Sequence, residues 1–331
     1  MTNPRFDVVA LGNAVVDVLA STTDEFLAAE GLAKGSMRLI TAEQATDLYS
    51  RMGPGQEVSG GSAANTLAGL AALGQHCGFI GQVADDQLGE VFAHDMRSVG
   101  IAYDTPPRSG PPSTGRVLIL VAPDGERTMS TALGAAHYLL ESALNVDMVA
   151  NCQYLLIEGY LWDPPEPRAA IRKAMAIAKA SGGKIVFALS ALFLLDLYRD
   201  DFIALIDEGM IDILFCNEEE VAALMPGMPM EEVIASLSAK VPTLVVTKSE
   251  RGAMAVQNGV HAEVPAEPVA RVVDTTGAGD TFTSGFLAGQ LQGRSLSESL
   301  TMGAICAAEC ISHIGPRPHA DLKALVAERL G

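Results

Sequence analysis

Along most of the chain, short and nearly unbroken apolar runs alternate with longer stretches in which apolar residues recur at helical spacing. The runs predict strands at 6–11, 77–83, 154–158, 184–189, 211–216 and 243–247. The stretches between them predict helices at about 62–73, 88–99, 167–180, 200–208, 218–224 and 230–239. Runs such as DILFC at 212–216 and LVVT at 244–247 lack the polar alternation of a half-exposed strand. They therefore predict an α/β fold with a parallel sheet covered on both faces. Two stretches break this rhythm, about 14–59 and 106–135. In the second, apolar and polar residues alternate around Pro123-Asp124-Gly125, the pattern of a hairpin with one buried face. Together the two predict a small second sheet that folds over one edge of the main sheet as a lid. No repeat, low-complexity tract or flexible linker occurs, which predicts a single unit over 1–331.

Composition narrows the function classes. Of 331 residues, 49% are hydrophobic and 19% charged, far from the composition of disordered chains. Lys and Arg number 22 against 40 Asp and Glu, a net charge of −18 that repels nucleic acid and anionic lipid. A phosphate site must then be built locally, from backbone N–H groups, a metal ion or a few placed cations. Cys77, Cys152, Cys216, Cys306 and Cys310 show no CxxC spacing and lie mostly in apolar segments, which predicts reduced, buried thiols. The N-terminal residues lack a secretory pattern, and no apolar run reaches the roughly 18 residues of a membrane span. Cytoplasmic residence is the resulting expectation.

Five segments carry chemistry. Asp274-Thr275-Thr276-Gly277-Ala278-Gly279-Asp280 leads into the apolar helical pattern of Phe282, Phe286 and Leu287. Its small residues admit close approach of a ligand, and the unpaired N–H groups of a helix start form an anion hole. Asp280 at that start either caps the helix or accepts a proton from an attacking hydroxyl. Gly60-Gly61-Ser62-Ala63-Ala64-Asn65 is a second glycine-rich helix start, ordinary or ligand-binding. Asp17 is the single charge in an apolar run that begins after Asn13, and it either meets water at a sheet edge or holds a polar ligand such as a diol. Asn217-Glu218-Glu219-Glu220 follows a strand at its carboxyl end, where open α/β sheets bind ligands. Asn217 and Glu220 share a helix face and either suit the helix dipole or hold Mg2+ through water. Thr247, Lys248 and Gly252 end the next strand, as a plain turn or as a contact to nucleotide phosphates. There is no GxxxxGK[ST] sequence, no GxGxxG after the first strand and no HExxH, which argues against a P-loop enzyme, a dinucleotide oxidoreductase and a zinc hydrolase.

In this order and approximate spacing, the Gly-Gly motif at 60–65, Asn-x-x-Glu at 217–220 and DTTGAGD at 274–280 resemble the ribokinase-like (PfkB) family of carbohydrate and nucleoside kinases over nearly the whole chain. The resemblance implies a three-layer α/β/α fold with a small β-lid and transfer of phosphate from ATP to a primary hydroxyl. It implies Asp280 as general base and the N–H groups of Gly277, Ala278 and Gly279 as the anion hole. Asn217 and Glu220 would hold Mg2+, while Asn217, Thr247, Lys248, Gly252, Gly277 and Gly279 would meet ATP. Asn13, Asp17, Gly61, Ser62 and Asn65 would hold the sugar hydroxyls. Within the family the chain is most similar to the adenosine kinases, through Asp212–Glu218, a helix at 41–52 and Leu189-Ser190-Ala191-Leu192-Phe193. That likeness implies adenosine and ATP as substrates, AMP and ADP as products, Phe193 and Leu161 beside the purine, and Arg127 reaching the phosphates. It leaves K+ as a possible further ion and either a monomer or a homodimer. Thr276 stands where the sugar branch has Thr, so a kinase of ribose, fructose or 2-keto-3-deoxygluconate is the alternative.

Overall fold

The computed structural model describes residues 5–331. Nine strands form one sheet in the spatial order Val260–Val264, Ala253–Gln257, Thr243–Thr247, Ile213–Asn217, Lys184–Ala188, Cys152–Glu158, Phe6–Leu11, Cys77–Ile80 and Ala102–Tyr103. Pairing is parallel from Thr243–Thr247 to Ala102–Tyr103 and antiparallel in the terminal hairpin. Alternate residues of a central strand enter opposite cores. Val8 and Ala10 join the cluster containing Leu67, Phe286 and Leu300, while Val9 and Leu11 join the one containing Ile171, Phe202 and Val233. All of these are fully buried, which is why the strands read as continuous apolar runs instead of alternating ones.

A second sheet of five strands runs Met37–Leu39, Arg127–Ala132, Gly115–Val121, Val15–Ser21 and Gly55–Gly60. It draws on both stretches that break the α/β rhythm. The turn at 123–125 joins Gly115–Val121 to Arg127–Ala132 in antiparallel register, Val121 opposite Arg127. The helices Asp24–Ala29 and Ala42–Arg51 bury Leu27, Ala45 and Leu48 in the same core as Val16, Val18, Leu118 and Leu120 of this sheet. The intervening residues Asp17, Val117, Ile119 and Met129 line a cavity between the two sheets.

Helix starts follow their capping signals: Thr41 and Gln44, Asn217 and Glu220, and Ser295 and Glu298 each form a reciprocal capping box. Two sequence expectations change. The strand expected over 77–83 ends at Ile80, and Gly81 beyond it passes so close to the first strand that a Cβ there would stand 2.5 Å from the Gly12 carbonyl oxygen. The helix expected at 200–208 extends over Leu192–Asp207, with a kink at Tyr198 whose hydroxyl donates to Asp163 Oδ1 at 2.6 Å. The hairpin Ala253–Gln257/Val260–Val264 and the helix Leu296–Cys310 are additional to the expected elements.

Candidate active site

Asp274–Gly279 forms the turn that the sequence marks. Gly277 adopts φ +77°, and a Cβ there would lie 2.5 Å from Pro316 Cβ, so glycine is required by conformation and by space. Gly279 lines the cavity, and its absent Cβ would meet nothing within 4 Å. Asp274 Oδ1 accepts from Thr276 N at 3.1 Å and Oδ2 from Gly315 N at 2.8 Å, which fixes the turn from within. The helix Ala278–Leu291 starts from Gly277 without a side-chain cap. Ala278 N–H closes the turn onto the Thr275 carbonyl at 3.2 Å, and so is spent within the protein. Of the three amides expected to form the anion hole, those of Gly277 and Gly279 have no protein acceptor among the described residues.

The Asp280 carboxylate does not cap its helix. Ser62 Oγ donates to Oδ1 at 2.6 Å and Asn65 Nδ2 to Oδ2 at 3.3 Å, so the helix start Ser62–Ala72 aims it at the cavity. Burial raises its proton affinity, opposed by these two bonds and by the Arg317 guanidinium. Gly61, at φ +99°, makes that helix start possible: a Cβ would lie 2.4 Å from the Asn13 carbonyl oxygen. Gly60 makes room for Asp17, whose carboxyl carbon would lie 2.4 Å from a Cβ at position 60. Asp17 is 5% exposed, its carboxylate receives no hydrogen bond from any described residue, and burial pushes its pKa up to about 7.

Glu158, which belongs to none of the motifs, stands at the end of the strand Cys152–Glu158. Its Oε1 accepts from Asn13 N and Nδ2 at 2.6 and 2.8 Å, and its Oε2 accepts from Ala63 N at 2.8 Å. It thereby ties the first strand to the glycine-rich helix start, and burial outweighs these bonds to raise its pKa to about 7. The lone charge in YLLIEG was its signal in the sequence, the same signal that marked Asp17. With Asn13 Nδ2 committed to Glu158, its Oδ1 is left buried and unpartnered.

Asn13, Asp17, Gly61, Ser62, Asn65, Phe193, Asn217, Glu220, Thr247, Gly277, Ala278, Gly279 and Asp280 all line one cavity of about 570 Å3. Leu161 does not. The tight turn Gly159–Trp162 sends Leu161 fully into the core and turns Tyr160 to the cavity, 6.2 Å from Phe193 between ring centroids. Lys248 and Gly252 also lie off the cavity wall: Lys248 pairs with Glu263 at 2.7 Å, and Gly252, at φ +93°, closes the turn against Val264 and Pro265. Arg127, whose side chain is buried, pairs with Asp274 Oδ2 at 2.7 Å and reaches the back of the anion turn instead of the cavity. A monovalent cation beside this turn would find its carboxylate already neutralised by that guanidinium.

Asn217 Oδ1 accepts from Glu220 N at 2.8 Å and Glu220 Oε2 from Asn217 N at 2.9 Å. The pair therefore caps its helix, and the second oxygen of Glu220 remains free in a carboxylate that is 4% exposed and lines the cavity. Such a group fits Mg2+ held through water, as a hard oxygen donor in a polar recess. No group of three or more His, Cys, Asp or Glu side chains among the described residues could hold a metal, so phosphates and water would have to complete its shell. Every charged residue lining the cavity is acidic: Asp17, Glu158, Asp163, Glu220 and Asp280.

A family model described as pfkB family carbohydrate kinase matches residues 27–322. The chain superposes with TM-score 0.90 and 43% identity on a structure of adenosine kinase from Sinorhizobium meliloti, covering 99% of this chain and 100% of that one. It superposes with TM-score 0.91 and 43% identity on a probable sugar kinase from Rhizobium etli, covering 98% and 99%. Adenosine kinase of Saccharomyces cerevisiae is 28% identical over 96% of this chain and 97% of its own length.

Proposed function

Because the chain belongs to the pfkB family of carbohydrate kinases, we propose that its own reaction is phosphorylation by ATP of the primary hydroxyl of a nucleoside, adenosine to AMP in particular. The observation that carries this reading is the Asp280 carboxylate, held by Ser62 and Asn65, facing a cavity that it shares with the free amides of Gly277 and Gly279. A hydroxyl lodged there gives its proton to Asp280 as its oxygen bonds to the γ-phosphorus of ATP, the bond from that phosphorus to the bridging oxygen breaks to release ADP, and the amides offset charge on the transferring group. Asp17 and Asn13 Oδ1, both short of protein partners, accept from the ring hydroxyls. Mg2+ at Glu220 would supply charge neutralisation on the ATP phosphates. Arg127 acts on the phosphates only at second hand, by holding the turn. Buried, free thiols suit a reducing, cytoplasmic setting.

The adenosine assignment rests on the wall. Met37, Leu39, Ile119, Met129, Leu133 and Phe193 offer apolar surface to a purine, more than a lone sugar would cover. A sugar acid fits worse, because the charged side chains its carboxylate would meet are all carboxylates. Arg116, which could have answered it, donates to Thr46 Oγ1 at 2.7 Å and lies off the cavity wall.

The test is ADP release from Mg·ATP with adenosine, other nucleosides, ribose, fructose and 2-keto-3-deoxygluconate offered in parallel. Adenosine-dependent turnover is expected, and the folded Asp280→Asn variant should lose on the order of 10² to 10⁴ in kcat. Turnover with sugars alone would keep the reaction and remove the nucleoside.

A further inference from the structure

Arg317 belongs to no motif and does not line the cavity, yet it stands directly behind it. It sits between Pro316 and Pro318, in the segment that follows the helix Leu296–Cys310. Its Nε donates to Asn65 Oδ1 at 3.1 Å, and its Nη2 donates to the Ser59 carbonyl at 2.7 Å and to Ser59 Oγ at 3.0 Å. Ser59 N in turn donates to Asp95 Oδ2 at 2.9 Å, so the far end of this arrangement is also anchored.

A guanidinium can only donate, so the atom of Asn65 that faces it must be the carbonyl oxygen. The amide is planar, and its NH2 group is thereby directed away from Arg317 and onto Asp280 Oδ2 at 3.3 Å. Without Arg317 the Asn65 amide could turn over and present its own oxygen to the carboxylate. The guanidinium also faces three acidic side chains from three different elements: Asp17, Asp95 and Asp280. For Asp17 it is the largest influence opposing burial.

We propose that Arg317 is a positioning residue for phosphoryl transfer: it fixes the Asn65 amide in the orientation that donates to Asp280, and it sets a buried positive charge behind Asp280 and Asp17. This rests on Asp280 being the general base.

The groups facing Asp280 are Ser62, Asn65, Arg317, Asp17, Glu158, Tyr160 and Cys310. Among the charged ones only Arg317 favours the carboxylate. Its removal should therefore raise the pH at which the acid limb of kcat/KM falls, a limb that belongs to the coupled carboxylates together. Arg317→Gln should lose on the order of 10- to 100-fold in kcat with KM for ATP unchanged. Arg317→Lys should keep the acid limb where it is and recover only part of kcat, because an ammonium cannot hold Asn65 and Ser59 together.

The decisive experiment is a double-mutant cycle in which kcat is measured for Asn65→Ala, Arg317→Gln and the pair. Because Arg317 acts partly by orienting Asn65 and partly by its charge, Arg317→Gln should cost less in the Asn65→Ala background than in the wild type, the remainder being the loss of the charge. Independent, multiplicative losses, or an acid limb that stays in place in Arg317→Gln, would overturn the proposal. Should Arg317→Gln not fold, the same cycle run with Arg317→Lys decides it. Near wild-type turnover in Asp280→Asn would instead remove the underlying assignment of the base, a separately visible failure.

Discussion

An aspartate in the first turn of a helix ordinarily faces the free amides of its own helix, where the dipole favours it. Asp280 turns away because Ser62 and Asn65 offer donors across the cavity, leaving its amides and its carboxylate to face one ligand together. Asp17 is the simpler case, since no described donor compensates its burial. Its pKa of about 7 in the folded chain lies above the 3.8 of an unburied aspartate. The folded state therefore holds this proton up to pH 7, while the unfolded chain loses it near pH 4. This group's contribution to stability is full below pH 4, declines between about 4 and 7 and is lost above. Thermal unfolding without ligand should show that decline, and Asp17→Asn should flatten it; an unchanged slope would count against the burial argument. In the proposed complex ring hydroxyls would supply the missing donors, so KM for the acceptor should rise as pH falls below about 7.

Elements were legible where local chemistry decides them. The parallel strands announced themselves because burial on both faces demands continuous apolar side chains. The hairpin Ala253–Gln257/Val260–Val264 also had a signal: its turn is Asn258-Gly259, both at positive φ, as a tight hairpin requires. Leu192–Asp207 was misjudged because its first half, LFLLDL, shows no helical period. There Leu194 and Leu195 enter the core and Phe193 lines the cavity, while Leu192 and Leu197 are exposed apolar residues that blur the period. Leu161 shows the limit of a motif: the register of a four-residue turn decides whether it or Tyr160 meets the ligand, and neighbouring sequence does not set that register. The Asn217–Glu220 segment lets its two sequence readings be separated. Asn217→Ala should cost about 1 kcal/mol in stability through the lost cap, and Asn217→Ser should restore most of it. If Asn217 also serves the metal, KM for Mg·ATP stays raised in Asn217→Ser; if it returns to the wild-type value, the residue is a cap alone.

At the scale of the whole molecule, chemistry is assembled from segments that the sequence keeps far apart. Asp280, Ser62, Glu158 and Asn13 become neighbours only once the parallel sheet is formed, so motif order could suggest the site, whereas Glu158 and Arg317 emerged only from the folded chain. The small sheet touches the anion turn through one ion pair, Arg127 with Asp274. That pair makes closure of the proposed lid and the shape of the turn parts of one event. Arg127→Met should leave a buried carboxylate without its cation, lower stability by about 3–5 kcal/mol, and reduce kcat more than it raises KM for the acceptor. Unfolding together with steady-state kinetics measures both, and an effect on stability alone would make the pair purely structural.

The acidity of the cavity has a consequence for turnover. By the proposed reaction a nucleoside would enter it uncharged and, once it carries a phosphate, leave as an anion past Asp17, Glu158, Asp163, Glu220 and Asp280. With no cationic side chain on the wall, a product phosphate that has parted from the metal keeps only the Gly277 and Gly279 amides to hold it. The chamber thus expels what it makes, and accumulating product should inhibit it only weakly.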